Sequence, residues 1–194
     1  MHASRKRVLK LRKMVRKKLK KLQYRMQKMV GKKFNIRSNI QLADAMFKIL
    51  KIKGNNDFRS DKTGNMSTGA EHLEWLFENS PHAFLKRLKM YKEFEKLRSM
   101  LGDPETSEDM PTGMFQWMHK NGIIHSNILT AGTVTGRFSG KDPNLMNIMR
   151  DRVFTSKDVM SVRRLFTSRL GYMMLFVDYS QIELRVLAYM ANVK

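Results

Sequence analysis

Three groups of residues in this chain have the type and spacing to do chemistry. The first centres on Asp178. It follows Met173 to Val177, five apolar residues in a row, too short a run for a helix and right for a strand in a sheet core. A carboxylate where such a strand leaves the core can hold a metal ion in a cleft; the plain alternative is a strand-terminating aspartate. Metal-assisted phosphoryl transfer needs carboxylates that bridge two ions, so one aspartate can supply the bridge but cannot hold both ions. Ser180 and Glu183 stand three residues apart and fit a capping box that opens a helix straight after the strand. The second group is Thr135-Gly136-Arg137, where glycine permits a tight turn with a surface arginine on it. The third is Lys62, Thr63, Ser67 and Thr68. A lysine, hydroxyls and backbone amides at a helix start suit phosphate; the alternative is an ordinary loop with a helix cap. The run Gly132 to Lys141 is not a nucleotide P-loop. Gly136 and Gly140 have three residues between them rather than four, and Asp142 follows the lysine where Ser or Thr is required.

The elements that must position these groups are mostly helical at first. Val8, Leu11, Val15, Leu19, Leu22, Met26 and Met29 recur at three- and four-residue steps, which predicts one amphipathic helix over 5–30 with Gly31 as its stop. Three readings stand for its basic faces: a solvated surface on a packing helix, contact with backbone phosphates, and a targeting presequence. The segment is rich in Lys rather than in Arg and Ser, which counts against the last. Ser38 with Gln41, and Thr68 with Glu71, predict two more helix starts by capping box. Ser80-Pro81 predicts a third, as an N-cap followed by proline at the first helical position. That helix runs through Phe84, Leu88, Tyr91, Phe94 and Leu97 to about Leu101 and ends at Gly102-Asp103-Pro104. Residues 103–113 are polar and contain two prolines, so they form a linker loop. Beyond it, Gly122 to Leu129 and Gly132 to Thr135 read as two short strands around Thr130-Ala131. The fold class expected is α+β.

Charge narrows the partners. The net charge is +21, and fifteen of the 38 basic residues lie in positions 1–33, which hold no acid. Such an excess favours a polyanion, either nucleic acid or an anionic membrane surface. There are no cysteines, hence no disulfides and no cysteine-based metal site. No stretch approaches the roughly 18 apolar residues of a membrane span, and no membrane partner is expected. The 17 methionines read as core filler.

The run Asp178-Tyr179-Ser180-Gln181-Ile182-Glu183-Leu184-Arg185 resembles motif A of the A-family DNA polymerases, whose pattern is DYSQIELR. Eight residues match without a gap. Thr133 to Ile148 resembles the family's TxTGRLSSxDPNLQNIP segment, departing from it at Gly140 and Met146, while Met149 replaces its final proline. Lys62-Thr63-Gly64-Asn65-Met66-Ser67-Thr68 is similar to the thumb signature KTGxxST. Phe34-Asn35-Ile36-Arg37-Ser38 with Gln41-Leu42 is similar to the thumb opening FNxxSxxQL, and Ile124-His125-Ser126 to the IHxS step that starts the palm. The resemblance covers roughly residues 34–194, and the motifs stand in the family's order.

The resemblance implies a division into a basic leading helix and helical thumb over 1–102, a linker over 103–113, and the first part of a palm over 114–194. It implies DNA-directed DNA polymerase activity in DNA replication, with primer-template DNA and deoxynucleoside triphosphates as partners and Mg²⁺ as cofactor. Asp178 and the backbone of Tyr179 would hold metal, with Asp178 and Glu183 catalytic. Ser180, Gln181, Ile182 and Glu183 would line the nucleotide pocket, Glu183 as the side chain that blocks a ribose 2′-hydroxyl. Lys62, Thr63, Ser67, Thr68, Arg137, Asn144, Asn147 and Arg185 would contact DNA. The family's arginine-lysine-tyrosine helix and His-Asp-Glu hairpin do not occur: no His is followed by Asp and no Tyr by Gly. The expectation is therefore an N-terminal fragment or split subunit, inactive alone and completed by a second polypeptide carrying the rest of the palm and the fingers, at the nucleoid or replication site of the cytoplasm. The alternative is a non-enzymatic DNA-binding remnant.

Overall fold

Helix formation here follows apolar spacing wherever that spacing is long. A computed structural model describes residues 1–59, 64–104, 110–148, 152–155 and 158–191. A short strand β1 (His2–Ala3) leads into α1 (Arg5–Val30). Val8, Leu11, Val15, Leu19, Leu22, Met26 and Val30 form its buried face. Neither glycine nor proline interrupts these 26 residues, so nothing in the backbone opposes the helix. Gly31 ends it in the left-handed region (φ 79°), its N–H donating to the Gln27 carbonyl at 2.9 Å, a position glycine fills without the Cβ penalty.

The second helix, α2 (Asn39–Ala43), continues as a π-helical stretch Asp44–Ile49. Ser38 caps it as expected, accepting from the Gln41 N–H at 3.4 Å. Gln41 Oε1 reaches past it to the Asn35 N–H at 2.7 Å, so the box is not reciprocal. Next come α3 (Ala70–Asn79) and α4 (Ala83–Leu101). Two predicted starts move. Thr68 does not cap α3: the N-cap is Gly69, and Thr68 is buried. Ser80 closes α3 instead of opening α4, because its N–H is taken by the Leu76 carbonyl at 3.0 Å. His82 is the N-cap of α4, its Nδ1 accepting from the Phe84 N–H at 3.2 Å.

Helix α1 lies along α4. Arg12 near the start of α1 pairs with Asp103 just past the end of α4, while Phe34, beyond α1, lies tilted against Phe84 at the start of α4 with centroids 6.5 Å apart. The two helices therefore run in opposite directions. Their facing residues, with Leu42, Met46, Leu73 and Leu76, make the core, which continues through Phe115 and Ile124 to Val162 and Leu165. Gly102 (φ 71°) and Gly113 (φ 56°) pack back to back at the base of the loop between them. A Cβ on Gly113 would come within 2.7 Å of the Gly102 nitrogen, and Thr112 clamps Asp103 by two hydrogen bonds, at 2.8 and 2.9 Å.

After a single turn, α5 (Met114–Trp117), the chain forms short antiparallel ribbons. Strand β2 (Asn127–Leu129) pairs with β3 (Ser139–Lys141), Ile128 opposite Gly140. Strands β4 (Arg152–Thr155) and β5 (Asp158–Met160) pair with each other, and β6 (Phe166–Thr167) pairs with β1. The final element is α6 (Ile182–Met190). Helices and small antiparallel sheets in separate regions make the fold α+β.

Two strand expectations fail. Residues 132–135 do not pair with 122–129. They start a turn in which the Thr133 carbonyl accepts from the Gly136 N–H and Thr133 Oγ1 from the Arg137 N–H, both at 3.0 Å, which uses the groups a ladder would need. Residues 173–177 are not a buried strand either: Met173 is 96% and Phe176 83% exposed. A strand needs a neighbour for its backbone and cover for its apolar face, and among the described residues no ladder includes this segment.

Candidate functional site

The site is built from two sequence blocks 46 residues apart. Arg137 stands on the turn that Gly136 (φ 73°) makes possible. Thr133 holds that turn from within, bonding to the Arg137 N–H and lying 3.1 Å from the Thr135 hydroxyl. Glu183 stands in the first turn of α6. The Arg137 guanidinium donates through Nη2 to Glu183 Oε1. Both side chains remain about two-thirds exposed, at 65% and 69%. A pair this open contributes at most about 1 kcal/mol, so it opens cheaply when another partner arrives.

This pair also explains why Glu183 does not cap. Its carboxylate turns toward Arg137, and the residue before α6 is Gln181, held at φ 49°, ψ 46° with no side-chain cap bond. Ser180 contributes its carbonyl instead, which accepts from Arg185 Nε at 2.9 Å. Arg185 thus braces the turn between Asp178 and α6 from within. A non-glycine residue in the left-handed region costs roughly 1–3 kcal/mol. Such strain at the turn that aims Asp178, Tyr179 and Ser180 is the kind that gathers at functional sites.

Asp178 is exposed, as are Tyr179 (74%) and Ile182 (46%). Among the described residues no group of three His, Cys, Asp or Glu side chains is placed to hold a metal ion. Of the two carboxylates at this turn, Glu183 is engaged by Arg137 and Asp178 is open to solvent.

The remaining predicted contacts are distributed. Asn144 Oδ1 accepts from the Met146 N–H at 3.0 Å and so caps the single turn Leu145–Asn147. Asn144 and Asn147 border an apolar cavity of about 290 Å³ against Trp117, Ile124 and Val162. Ser126 anchors the same segment by donating to the Pro143 carbonyl at 2.7 Å. Lys62 and Thr63 lie outside the described residues. Ser67 Oγ accepts from the Gly69 N–H at 3.0 Å.

His72 supports that last segment, although no sequence motif marks it. It is buried at 1% exposure, its Nε2 accepts from the Asn55 N–H at 3.1 Å, and Nδ1 lies 2.7 Å from the Ser67 carbonyl. With Nε2 as acceptor, the proton sits on Nδ1 and is donated to Ser67. Phe58 stacks on the ring at 4.8 Å. The only signal in sequence was its place on the apolar face of α3, beside Leu73 and Leu76.

Comparison with known proteins agrees with the motifs. The family model described as DNA polymerase family A matches residues 5–194. The thermostable DNA polymerase I of Thermus thermophilus is 34% identical over 165 residues, 85% of this chain and 18% of that protein. The DNA polymerase I of Chloroflexus aurantiacus is 34% identical over 169 residues, 87% of this chain and 16% of its own length. This chain therefore spans about a sixth of the length of the curated relatives it matches. Among solved structures, the POL domain of Pol1 from M. smegmatis, in complex with DNA primer-template and dNTP, shares the fold with a TM-score of 0.70 and 24% identity. The match covers 99% of this chain and 31% of that one. Motifs, family match and relatives agree: the chain belongs to DNA polymerase family A.

Proposed function

We propose that this chain forms part of a DNA-directed DNA polymerase acting in DNA replication, supplying the duplex-gripping thumb and the first metal-binding carboxylate of the palm. The observation that carries the reading is the Arg137–Glu183 pair, which puts the Thr-Gly-Arg turn beside the Asp178-to-Arg185 turn and helix. In this reading residues 1–102 are the leading helix and thumb, 103–113 the linker, and 114–194 the opening of the palm.

Each residue then has a task that its chemistry suits. Asp178 and the Tyr179 carbonyl would hold Mg²⁺, whose chemistry is to neutralise charge on the attacking and leaving oxygens of phosphoryl transfer. Ser180, Gln181, Ile182 and Glu183 line the pocket for a deoxynucleoside triphosphate. There Glu183 meets the ribose at C2′ and excludes a hydroxyl. Arg137, Asn144, Asn147 and Arg185 face the primer-template. Side chains of these types can read minor-groove acceptors at any base pair, because that pattern is degenerate, which suits an enzyme that must not choose sequence. Lys62, Thr63 and Ser67 grip the phosphate backbone, whereas Thr68, expected to join them, is buried and does not reach it. The second metal-binding carboxylate and the triphosphate-binding helix come from a second polypeptide, or from further sequence of the same protein, and the place of action is the nucleoid.

A DNA-binding remnant without activity is the second reading, favoured by the single carboxylate at Asp178. Primer extension decides between them. Supplied with the remaining palm and fingers, the chain should extend a primer in a Mg²⁺-dependent way, and alone it should not. Primer-template binding with no extension in any such mixture would leave the remnant.

A further inference from the structure

One strongly charged feature is not used by the reading above. A groove of about 710 Å³ runs between α1 and α4. Seven basic side chains and one carboxylate, Glu95, line it. On α1 the cations are Arg12, Lys13, Arg16, Lys17 and Lys20, and on α4 Arg98. They recur turn after turn, about 5.4 Å apart along the axis. Like charges at i, i+4 destabilise a helix, and Arg12/Arg16, Lys13/Lys17 and Arg16/Lys20 are all such pairs.

The carboxylates within reach are already shared. Asp103 takes both Arg12 and Arg16, the latter at 3.4 Å. Glu95 takes Arg37 at 3.0 Å and Arg98 at 3.5 Å. Among the described residues no carboxylate pairs with Lys13, Lys17 or Lys20. A second, independent observation points the same way: Nε of Arg12 and Nε of Arg98 are buried N–H donors without an acceptor, and buried donors are ordinarily satisfied. Burial, together with repulsion from Arg16 and Arg98, depresses the Arg12 pKa.

We propose that this groove binds the phosphate backbone of a single-stranded nucleic acid, as a site separate from the primer-template cleft. Packed helices lie about 8–10 Å apart axis to axis, so the concavity between them admits one strand and not a convex duplex. Tyr24 lies one turn beyond Lys20 on the outer edge of this stripe and is 66% exposed, a platform for a stacked base. The α1–α4 groove shares no residue with the Asp178 turn or the Ser67–Thr68 segment, so the two ideas can fail separately.

The test is fluorescence anisotropy of a labelled oligothymidylate and of a blunt duplex with the whole chain. Two variants lose equal charge: Lys13→Gln/Lys17→Gln/Lys20→Gln in the groove, and Lys33→Gln/Lys53→Gln/Lys120→Gln, which lie off both helices and do not line it. All six lysines are exposed, and matched circular dichroism melts confirm the fold. The groove variant should bind the single strand at least about tenfold more weakly, and its log–log salt slope should be shallower by about 2, for three phosphates at roughly 0.7 each. The other variant should lose less than about threefold, and primer extension by a completed enzyme should survive both. Equal losses in the two variants, an unchanged salt slope, or a duplex bound as tightly as the single strand would each overturn the proposal.

Discussion

Arg137 and Glu183 each have two possible partners, and the structure pairs them with each other. Glu183 would otherwise cap α6 or meet a ribose, and Arg137 would otherwise face solvent or a primer. Because the pair is open to water, its rupture should hardly touch stability: Arg137→Ala and Glu183→Ala should each shift the free energy of unfolding by less than about 1 kcal/mol. Their functional effects should differ. In a completed enzyme Glu183→Ala should weaken the bias against ribonucleotides by about tenfold, with a smaller loss of rate. Arg137→Ala should lower extension with both nucleotide types alike. Parallel extension lanes with deoxy- and ribonucleotides check both, and an unchanged bias in Glu183→Ala would remove it from the pocket. At this scale the turn was legible beforehand, since Arg137 stands behind the turn glycine Gly136 as its neighbours imply, but Asp178 does not end a buried strand, because residues 173–177 are exposed. The Ser180–Glu183 capping box was not borne out, because capping propensity is local while the carboxylate is claimed by a residue 46 positions away.

Helices α1 and α4 owe their legibility to length. Seven apolar positions at helical spacing survive any small error of register, and Gly31 and Gly102 mark both ends. The capping residues around α3 and α4 were misplaced because Ser80 can close one helix or open another with equal chemistry. Strands fared worse, since pairing is not written in the strand itself. β2 takes β3 across a loop, and residues 173–177 take no partner among those described. Contact between α1's trailing loop and α4 is reinforced by Arg37, Glu95 and Tyr91. Burial, aided by Glu95, raises the Tyr91 pKa above its usual 10.0. The folded state then holds the phenol proton more tightly than the unfolded chain, so stability is full below about pH 10 and falls as pH rises through the folded value. Denaturant melts from pH 8 to 11 should show this fall, and Tyr91→Phe should flatten it. An identical pH dependence in both proteins would exclude Tyr91 as its source.

Across the whole molecule, a strongly basic body carries an exposed apolar end. Leu175, Phe176, Val177, Leu187 and Tyr189 are all more than 60% exposed, and an apolar run without a ladder partner invites pairing with another chain. The net charge of +21 opposes this at low salt. Light scattering should therefore find monomers at low ionic strength and self-association as screening shortens the Debye length to about 8 Å near 0.15 M. A sharply melting monomer at all salt concentrations would show that this end needs no cover. The family was readable from motif order, whereas a metal centre at Asp178 was not, because among the described residues no group of three His, Cys, Asp or Glu side chains gathers to hold an ion. The most direct test of the account is a primer-extension gel in which this chain, supplied with the remaining palm and fingers, carries Asp178→Ala. Primer-template binding should stay close to wild type while extension falls at least about a thousandfold, since Asp178 would act in the transition state and not in holding the duplex. Extension at the wild-type rate would contradict the assignment of the metal site.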